Sequence, residues 1–295
     1  MIRVGTAGWS YPDWEGIVYP RRKPPGFHPL RFLARFVACV EVNSTFYGTP
    51  RPGAAERWLD CTRERPAFRF TAKLHRSFTH EPLAEQDTAL QARASAFLDG
   101  IEPLRAAGRL AAVLVQFPLS FTWTAGAERR LERLEGCFAH IPLVLEVRHG
   151  SWFARKPLAT IERLGFSLAN IDLPASKDHP PADPPSVGPL AYVRLHGRNH
   201  EAWFARGVGR DQRYDYLYAP DELDPLVGLV RRLARGHDET YVITNNHFSG
   251  KALANALEIV AALEGKPPAA PPELVAAFPR LTDTVTLHGQ RPLFE

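Results

Sequence analysis

Cysteine is scarce in this sequence, and its few copies do not fall at the spacings that build a cross-linked framework. The 295 residues include three, Cys39, Cys61 and Cys137, which lie far apart along the chain. They form neither a CxxC pair nor a zinc-ribbon pattern, so we expect no disulfide scaffold and no structural zinc site. This composition is typical of a reducing compartment, and we expect a cytoplasmic protein.

Long apolar runs and long runs of one charge are also missing. No stretch approaches the ~18 apolar residues of a membrane-spanning helix, and the opening residues MIRVGTAGWS lack the apolar core of a signal peptide. We therefore expect no membrane partner. The 36 Lys and Arg against 32 Asp and Glu give a formal charge of +4. Without a block of five or six like charges, the basic tail of a dedicated nucleic-acid-binding protein is absent.

Glycine-rich phosphate-binding motifs are absent as well. The sequence has no GxGxxG after a predicted strand and no GxxxxGK[ST]. These motifs carry the usual dinucleotide and P-loop nucleotide sites, so we expect no such cofactor.

What the sequence does contain is a regular alternation of short β-rich runs and amphipathic segments. The eight runs are IRVGTAG from Ile2, CVEVN from Cys39, FRFTAK from Phe68, AAVLVQF from Ala111, LVLEVR from Leu143, FSLANID from Phe166, AYVRLHG from Ala191 and YVITNN from Tyr241. The amphipathic segments between them include residues 84–107, 126–139, 221–235 and 249–263. Strand and helix alternation predicts parallel strands joined by right-handed crossovers. Eight such units predict a single α/β domain, a (β/α)8 TIM-type barrel.

Proline marks the places where this pattern changes. Residues 174–189, PASKDHPPADPPSVGP, contain too much proline for a helix, so a Pro-rich loop should replace or reduce the sixth helix. A second Pro-rich stretch, GKPPAAPPE, begins at Gly265. We therefore expect residues 1–264 to form the barrel, and 265–295 to form a linker with a short C-terminal helix and a tail packed on it.

The alternation of side chains along each strand separates inward-facing from outward-facing residues. In CVEVN, Val40 and Val42 should face the outer helices, which leaves Glu41 and Asn43 inside. The same reasoning applied to the other strands, with His75 following strand three, gives an inward polar set of Thr71, Lys73, Gln116, Glu146, Arg148, Asp172, Tyr192, Arg194, His196, Asn245 and Asn246. Its charged members stand near the carboxyl ends of the strands, where barrel enzymes carry their active sites. The same residues could instead form a self-satisfied ion-pair cluster.

Three of these residues are candidates for catalysis: Glu41, Lys73 and Glu146. The two carboxylates could flank a ligand as acid and base, although neighbouring cations would favour their ionised forms. Lys73 could act as a nucleophile if it lost its proton. Carboxylates and histidines here are suitable metal ligands, but Lys73, Arg148 and Arg194 compete for the carboxylates, so we expect no metal.

An anion site is expected beside the last strand. In NNHFSGKA, Ser249 is the expected helix cap, Gly250 would allow close backbone approach and Lys251 lies in the first turn. The aromatic loop with Trp9 and Tyr11 could be a lid, a stacking platform or an apolar plug. The predicted ligand-binding set comprises Trp9, Tyr11, Asn43, His75, Gln116, Arg148, Asp172, Arg194, His196, Asn245, Asn246, Ser249, Gly250 and Lys251.

Seven motifs in order resemble one known family. They are GTAGWSYPDWEGIVYP from Gly5, EVNSTFYGTP from Glu41, FTAKLHRSFTH from Phe70, LVQFP from Leu114, LEVRHGSWF from Leu145, YVRLHG from Tyr192 and ITNNHFSGKA from Ile243. Together they look like the YecE-like family, domain of unknown function 72, over residues 2 to about 262. The resemblance implies a TIM-type barrel and assigns no reaction.

Three functions stay open at this point. The residues favour an enzyme of undefined reaction class that acts on a phosphorylated or carboxylated small molecule. The alternative is a nucleic-acid-binding or nucleic-acid-processing barrel, by analogy with barrel-type apurinic endonucleases, with aromatic rings on bases and arginines on phosphates. A non-catalytic anion-binding sensor or scaffold would share the same pocket. The oligomeric state does not follow from the sequence.

Overall fold

The computed structural model describes residues 1–83, 88–181, 183–205 and 207–288. Eight parallel strands, in sequence order, close a barrel. The strands are β1 Ile2–Ala7, β2 Cys39–Val42, β3 Arg69–Lys73, β4 Leu110–Gln116, β5 Leu143–Glu146, β6 Ser167–Asp172, β7 Ala191–Leu195 and β8 Thr240–Thr244. β1 pairs with β2 on one side and with β8 on the other, which closes the ring. The predicted barrel is confirmed.

Helices surround the barrel. They are α1 Pro29–Leu33, α2 Ser44–Tyr47, α3 Pro52–Cys61, α4 Arg76–Thr79, α5 Leu90–Ala106, α6 Ala125–Phe138, α7 Arg155–Arg163, α8 His200–Phe204, α9 Arg210–Arg213, α10 Pro220–Gly236, α11 Lys251–Glu264 and α12 Pro272–Ala277. The four predicted amphipathic segments correspond to α5, α6, α10 and α11. Residues 84–87 at the start of the first of them lie outside the described residues. None of the helices in the described ranges has the length and apolar character of a bilayer span.

The connection from β6 to β7 differs from the other crossovers. Its described residues, 173–181 and 183–190, contain no helix. The backbone instead returns alongside β6, where Leu168 N donates a hydrogen bond to Val187 O at 2.9 Å. Gly188 has a φ of +89°, and a Cβ there would lie 2.3 Å from Phe166 O, so this close approach requires glycine. Proline and glycine thus replace the sixth helix with a tightly packed loop.

The core has an inner layer and an outer layer. Inside the barrel, small and aliphatic side chains such as Ala112, Leu114 and Val144 pack together. Outside, Val40 and Val42 join the apolar layer beneath the helices, on the side that the alternation predicts. The polar alternate residues are therefore directed to the barrel interior.

A segment beyond α11 packs on the outer layer. β9 Ala269–Ala270 and β10 Thr286–Leu287 form a short parallel pair around α12. Leu274 and Leu281 are fully buried in the same apolar cluster as Trp14 and Tyr19. These two aromatic residues of the loop after β1 belong to the core. Residues 289–295 of the expected tail lie outside the described residues.

Candidate functional site

A cavity of about 280 Å³ opens at the carboxyl end of the barrel strands. Seven of the residues predicted to bind a ligand or act in catalysis line it: Trp9, Tyr11, Asn43, Lys73, Arg148, Arg194 and Asn245. They come from the ends of β1, β2, β3, β5, β7 and β8, because the strand period turns these positions inward and parallel strands end at the same face.

Arg194 forms the floor of the cavity and bridges two carboxylates. Its Nη2 and Nε donate to the two oxygens of Glu41 at 2.6 and 3.0 Å, and its Nη1 donates to Glu146. Tyr192 adds a hydroxyl donor to Glu41 at 2.9 Å. All four side chains are buried. Charge-assisted hydrogen bonds therefore compensate two carboxylates that would otherwise be costly to bury.

Glu146 has two further partners. Arg148 donates to its Oε1 from Nε at 2.9 Å and from Nη2 at 2.7 Å. Burial alone would raise the pKa of Glu146, but the Arg194 and Arg148 guanidiniums outweigh it and hold that pKa well below its usual value. Burial lowers the pKa of His196 to about 3, so its imidazole is neutral at neutral pH. Its Nδ1 lies 3.0 Å from the Asn245 amide nitrogen, which directs the Nε2 proton toward Glu146.

Lys73 differs from the two arginines because no carboxylate in the described part of the chain forms an ion pair with it. Its Nζ lies 4.0 Å from the centroid of the Phe46 ring. No hydrogen bond or ion pair from the described residues reaches this nitrogen. Burial and the charge of Arg194 lower the pKa of Lys73 to about 7, and the attraction of Glu41 and Glu146 offsets them only in part. Near neutral pH, the cavity therefore contains both the ammonium and the free amine.

The charges of the cluster leave an excess of positive charge at the cavity. Glu41 and Glu146 are balanced by the two arginines, so Lys73, when protonated, is the additional cation. Arg148 also keeps one guanidinium nitrogen, Nη1, to which the described residues offer no acceptor. The Trp203 ring lies 5.7 Å from the Arg148 guanidinium and supports its position. A small anion could meet donors from both Lys73 and Arg148.

Aromatic rings form the wall on the β1 and β8 side. The Tyr11 and His247 rings stack at 4.4 Å with an interplanar angle of 11°. Tyr214 lies 5.5 Å from the same histidine, and Tyr47 at the mouth is 62% exposed. Flat apolar faces beside cationic groups suit a small molecule with an anionic end and an unsaturated or ring-shaped part.

Five predicted ligand-binding residues from the strands and their ends do not line the cavity, and each has a local partner; one of them is His196, which lies beside Glu146 and Asn245 as described above. The His75 ring caps the start of α4, and the Gln116 amide donates to the backbone of the next residue at 2.6 Å. Asp172 pairs with Arg198 at 2.7 Å, and the Asn246 amide donates a hydrogen bond to Asn255 Oδ1 of α11 at 2.8 Å. The structure does not bring these side chains to the cavity.

The expected anion site at the start of α11 is built differently from the prediction. The N-cap is Gly250 at φ +78°, and Ser249 adopts φ 51° without capping the helix. Asp13 Oδ2 accepts a hydrogen bond from Ser249 N at 2.5 Å, and Lys251 pairs with Asp215. The expectation of Ser249 as the cap is wrong, because the helix begins one residue later and its N-cap position falls on Gly250, which adopts the left-handed conformation. Ser249, Gly250 and Lys251 do not line the cavity.

Sequence reasoning missed other lining residues: Gly8, Ser10, Ser44, Phe46, Tyr47, Tyr214 and His247. Phe46 and His247 follow predicted strand ends by a few residues, so extending each strand into its loop would have found them. Tyr214 lies in the long connection after β7, where it is the first of three alternating tyrosines, a signal that reasoning from the strands alone did not use. Within the described ranges, no group of three or more His, Cys, Asp or Glu side chains is arranged to hold a metal ion.

Comparisons with known proteins agree on one family. The chain matches the family described as "Protein of unknown function DUF72" over residues 3–277. The Bacillus subtilis protein UPF0759 YunF is 27% identical over 279 residues, which cover 90% of this chain and 95% of YunF. The Escherichia coli K12 protein UPF0759 YecE is 30% identical over 159 residues, 52% of this chain and 51% of YecE.

Solved structures show the same architecture. A DUF72 protein from Thermotoga maritima MSB8 superposes with a TM-score of 0.77 and 34% identity over 90% of this chain and 99% of its own. A DUF72 protein from Enterococcus faecalis V583 gives a TM-score of 0.78 and 26% identity over 90% and 96%.

Proposed function

This chain belongs to the DUF72 family, whose description assigns no reaction, and we propose that it is an enzyme that binds a small carboxylated or phosphorylated molecule in the barrel cavity. Lys73 is the group we propose for proton transfer. The observation that carries the proposal is the Lys73 amine, which faces the cavity without a counterion among the described residues while both neighbouring carboxylates are already bound to arginines.

An anionic ligand would complete this electrostatic arrangement. A half-buried ammonium without a partner is costly, and an anion beside it recovers that cost through charge-assisted hydrogen bonds. Arg148 Nη1 supplies a second donor at the same cavity. The volume of about 280 Å³ lies at the lower end of the ~300–1,000 Å³ typical of ligand pockets, which favours a small molecule.

The chemistry of Lys73 suits acid–base catalysis. A group with a pKa of about 7 is present in both protonation states near neutral pH, where it can donate or accept a proton efficiently. Glu41 and Glu146 act in this proposal through the arginines, because their oxygens accept from Arg194, Arg148 and Tyr192. We therefore assign the two carboxylates a positioning role.

Calorimetry with sulfate and malonate tests the anion site. Sulfate stays fully ionised across the pH range used, so a change in affinity reports on the protein. We expect wild-type affinity to fall as pH rises through about 7, because Lys73 then loses its charge. Lys73→Met should weaken binding by about 1.5–3 kcal/mol, the scale of a charge-assisted hydrogen bond, and remove this pH dependence. Lys156→Met, at an exposed position of α7, is the matched control and should leave affinity unchanged.

Equal sulfate affinity in the wild type and in Lys73→Met and Arg148→Met variants that remain folded would place the bound ion elsewhere and refute the proposal. Tight binding at the cavity without turnover of any carboxylated or phosphorylated compound would support the anion site but favour a sensor. Binding of oligonucleotides that weakens steeply with salt would instead favour the nucleic-acid alternative.

A further inference from the structure

We propose that Lys73 is a nucleophile that condenses with the carbonyl carbon of a small aldehyde or ketone, and that the same ligand carries the carboxylate or phosphate held at Arg148. This inference rests on the proposed function, because it uses the same cavity; it adds the substrate class, and for that class a covalent step at Lys73 takes the place of acid–base catalysis by the free amine.

The position of Lys73 carries the first part of the argument. It is the last residue of β3, its amine faces the cavity, and the Phe46 ring lies against one side of the nitrogen at 4.0 Å. A lysine that served only to neutralise Glu41 or Glu146 would be expected to bond to one of them. Among the described residues Lys73 bonds to neither, so its lone pair, once the proton is lost, is free to attack.

A hydrogen-bond acceptor beside Lys73 supports the attack on a carbonyl carbon. Val42 of β2 is paired with Ala72 of β3, so Asn43, the next residue along, lies beside Lys73 at the barrel mouth. Asn43 lines the cavity, and its Oδ1 is buried without a hydrogen-bond partner among the described residues. Rotation of the Asn43 amide would bring this oxygen to the cavity, where a hydroxyl that forms on the carbon attacked by Lys73 would supply the missing donor.

The reaction balances without an oxidant or a reductant. The neutral amine attacks the carbonyl carbon, a C–N bond forms, the carbonyl π bond breaks, and a proton passes from the nitrogen to the oxygen to give a carbinolamine. The hydroxyl takes a second proton from solvent and leaves as water, the C–O bond breaks, and a protonated imine remains on Lys73. Overall one carbonyl compound, one amine and one proton give one protonated imine and one water.

The surroundings of Lys73 favour both the free amine that attacks and the protonated imine that forms. A pKa of about 7 supplies free amine at neutral pH, which an ordinary lysine would not do. The protonated imine keeps a positive charge at the same nitrogen, where the face of the Phe46 ring and the charges of Glu41 and Glu146 stabilise it. The anionic end of the ligand, held at Arg148 Nη1, would keep the carbonyl close to the amine.

Borohydride trapping tests the proposal. The full-length protein is incubated with pyruvate, glyoxylate or, as a probe without an anionic group, acetone, and borohydride then reduces any imine to a stable secondary amine. We expect pyruvate or glyoxylate to give one adduct per chain, located at Lys73 by peptide mass mapping. Acetone should label this position at least about tenfold less, because the anion anchors the carbonyl.

Two variants and one competitor complete the experiment. Lys73→Arg keeps the charge and should abolish the adduct, and Lys156→Arg should not change it. Sulfate should protect Lys73 at concentrations that occupy the cavity. The labelling rate of the wild type should rise with pH around a midpoint near 7, a reading that needs no variant.

Adducts spread over exposed lysines and unchanged in Lys73→Arg would overturn the inference. If sulfate binds as expected at the cavity but neither oxo acid labels Lys73, the imine is wrong and the anion site stands. If sulfate does not bind but an oxo acid labels Lys73 selectively, the proposed anion site is wrong and the nucleophile stands.

Discussion

Among single residues, Arg194 has the largest electrostatic consequence. It is the cation that lies between Glu41 and Glu146, and all three side chains are fully buried. One guanidinium therefore offsets much of the free-energy cost of burying two carboxylates. Removing it would leave uncompensated buried charge. The cavity-lining cations Arg148 and Lys73 depend on this arrangement, because Arg148 pairs with Glu146 and the charges of both carboxylates act on Lys73.

Replacing Arg194 by Met should therefore reduce the free energy of unfolding by about 3–5 kcal/mol, the usual cost of removing one partner from a buried pair. Urea denaturation at pH 7 measures the change. Arg232→Met is the control, because its side chain is 52% exposed and pairs with an exposed Asp183, so it should change stability by less than about 0.5 kcal/mol. A loss of less than about 1 kcal/mol in Arg194→Met would mean that water or another cation reaches the carboxylates.

The sequence predicted which residues meet in this cluster but not how they pair. Strand alternation placed Glu41, Glu146 and Arg194 in the barrel interior, because the side-chain period of two leaves no other choice once the apolar alternates face the helices. The pairing of Arg194 with both carboxylates depends on rotamers across the barrel. Because both carboxylates bond to arginines, neither bonds to Lys73. The sequence around Lys73 does not predict this.

At the scale of elements, the start of α11 is tied to the loop after β1. Ser249 N donates to the Asp13 carboxylate at 2.5 Å, and a buried Gly250 allows Ile17 and Val18 to approach the turn. A negative charge at this position also interacts favourably with the helix dipole. The protein thus supplies its own anion where an external one was expected.

Asp13→Ala should lower the free energy of unfolding by about 1–2 kcal/mol, because it leaves the Ser249 N–H without its acceptor and removes the charge. Asp13→Asn should cost less, since an amide oxygen can still accept the bond. Thermal denaturation of both variants by circular dichroism measures the difference. Equal and negligible effects in the two variants would show that solvent replaces Asp13 at no cost.

The elements themselves were largely predictable, and the exceptions have a common cause. All eight strands and the four long amphipathic helices follow from periodicity, and proline predicted the missing sixth helix. The short helices α8 and α9 after β7 have no such signal, because tertiary contacts at the mouth determine them. The contact of the Tyr214 ring with the His247 ring depends on the loops after β7 and β8 lying side by side, which the sequence does not show.

At the scale of the whole molecule, the segment beyond α11 shares its core with the barrel. Leu274 is fully buried with Trp14 and Leu253, and Arg280 donates to Glu258 at 2.8 Å and to Tyr218 O at 2.6 Å. Apolar contacts to the β1 loop and polar contacts to α11 thus hold the same segment. We propose that residues 265–288 and the barrel form one cooperative unit.

Leu274→Ala should destabilise this unit by about 2–5 kcal/mol, the range for removing a buried leucine. Scanning calorimetry should show one transition in the wild type, and the variant should shift all of it to lower temperature. Two transitions, with only the smaller one shifted by the substitution, would show that the segment unfolds independently.

The pairing of β1 with β8 also constrains how the chain is made. Ile2 is paired with Thr240, so the first strand meets its second neighbour only after about 240 residues have been synthesised. At roughly 5–20 residues per second, the nascent chain waits about 12–48 s on the ribosome with one edge of β1 unpaired. During that interval the edge can associate with other strands, including those of neighbouring nascent chains. Barrel closure, and with it the completed cavity, therefore comes late in synthesis, and until then the unclosed chain is the form that chaperones would encounter.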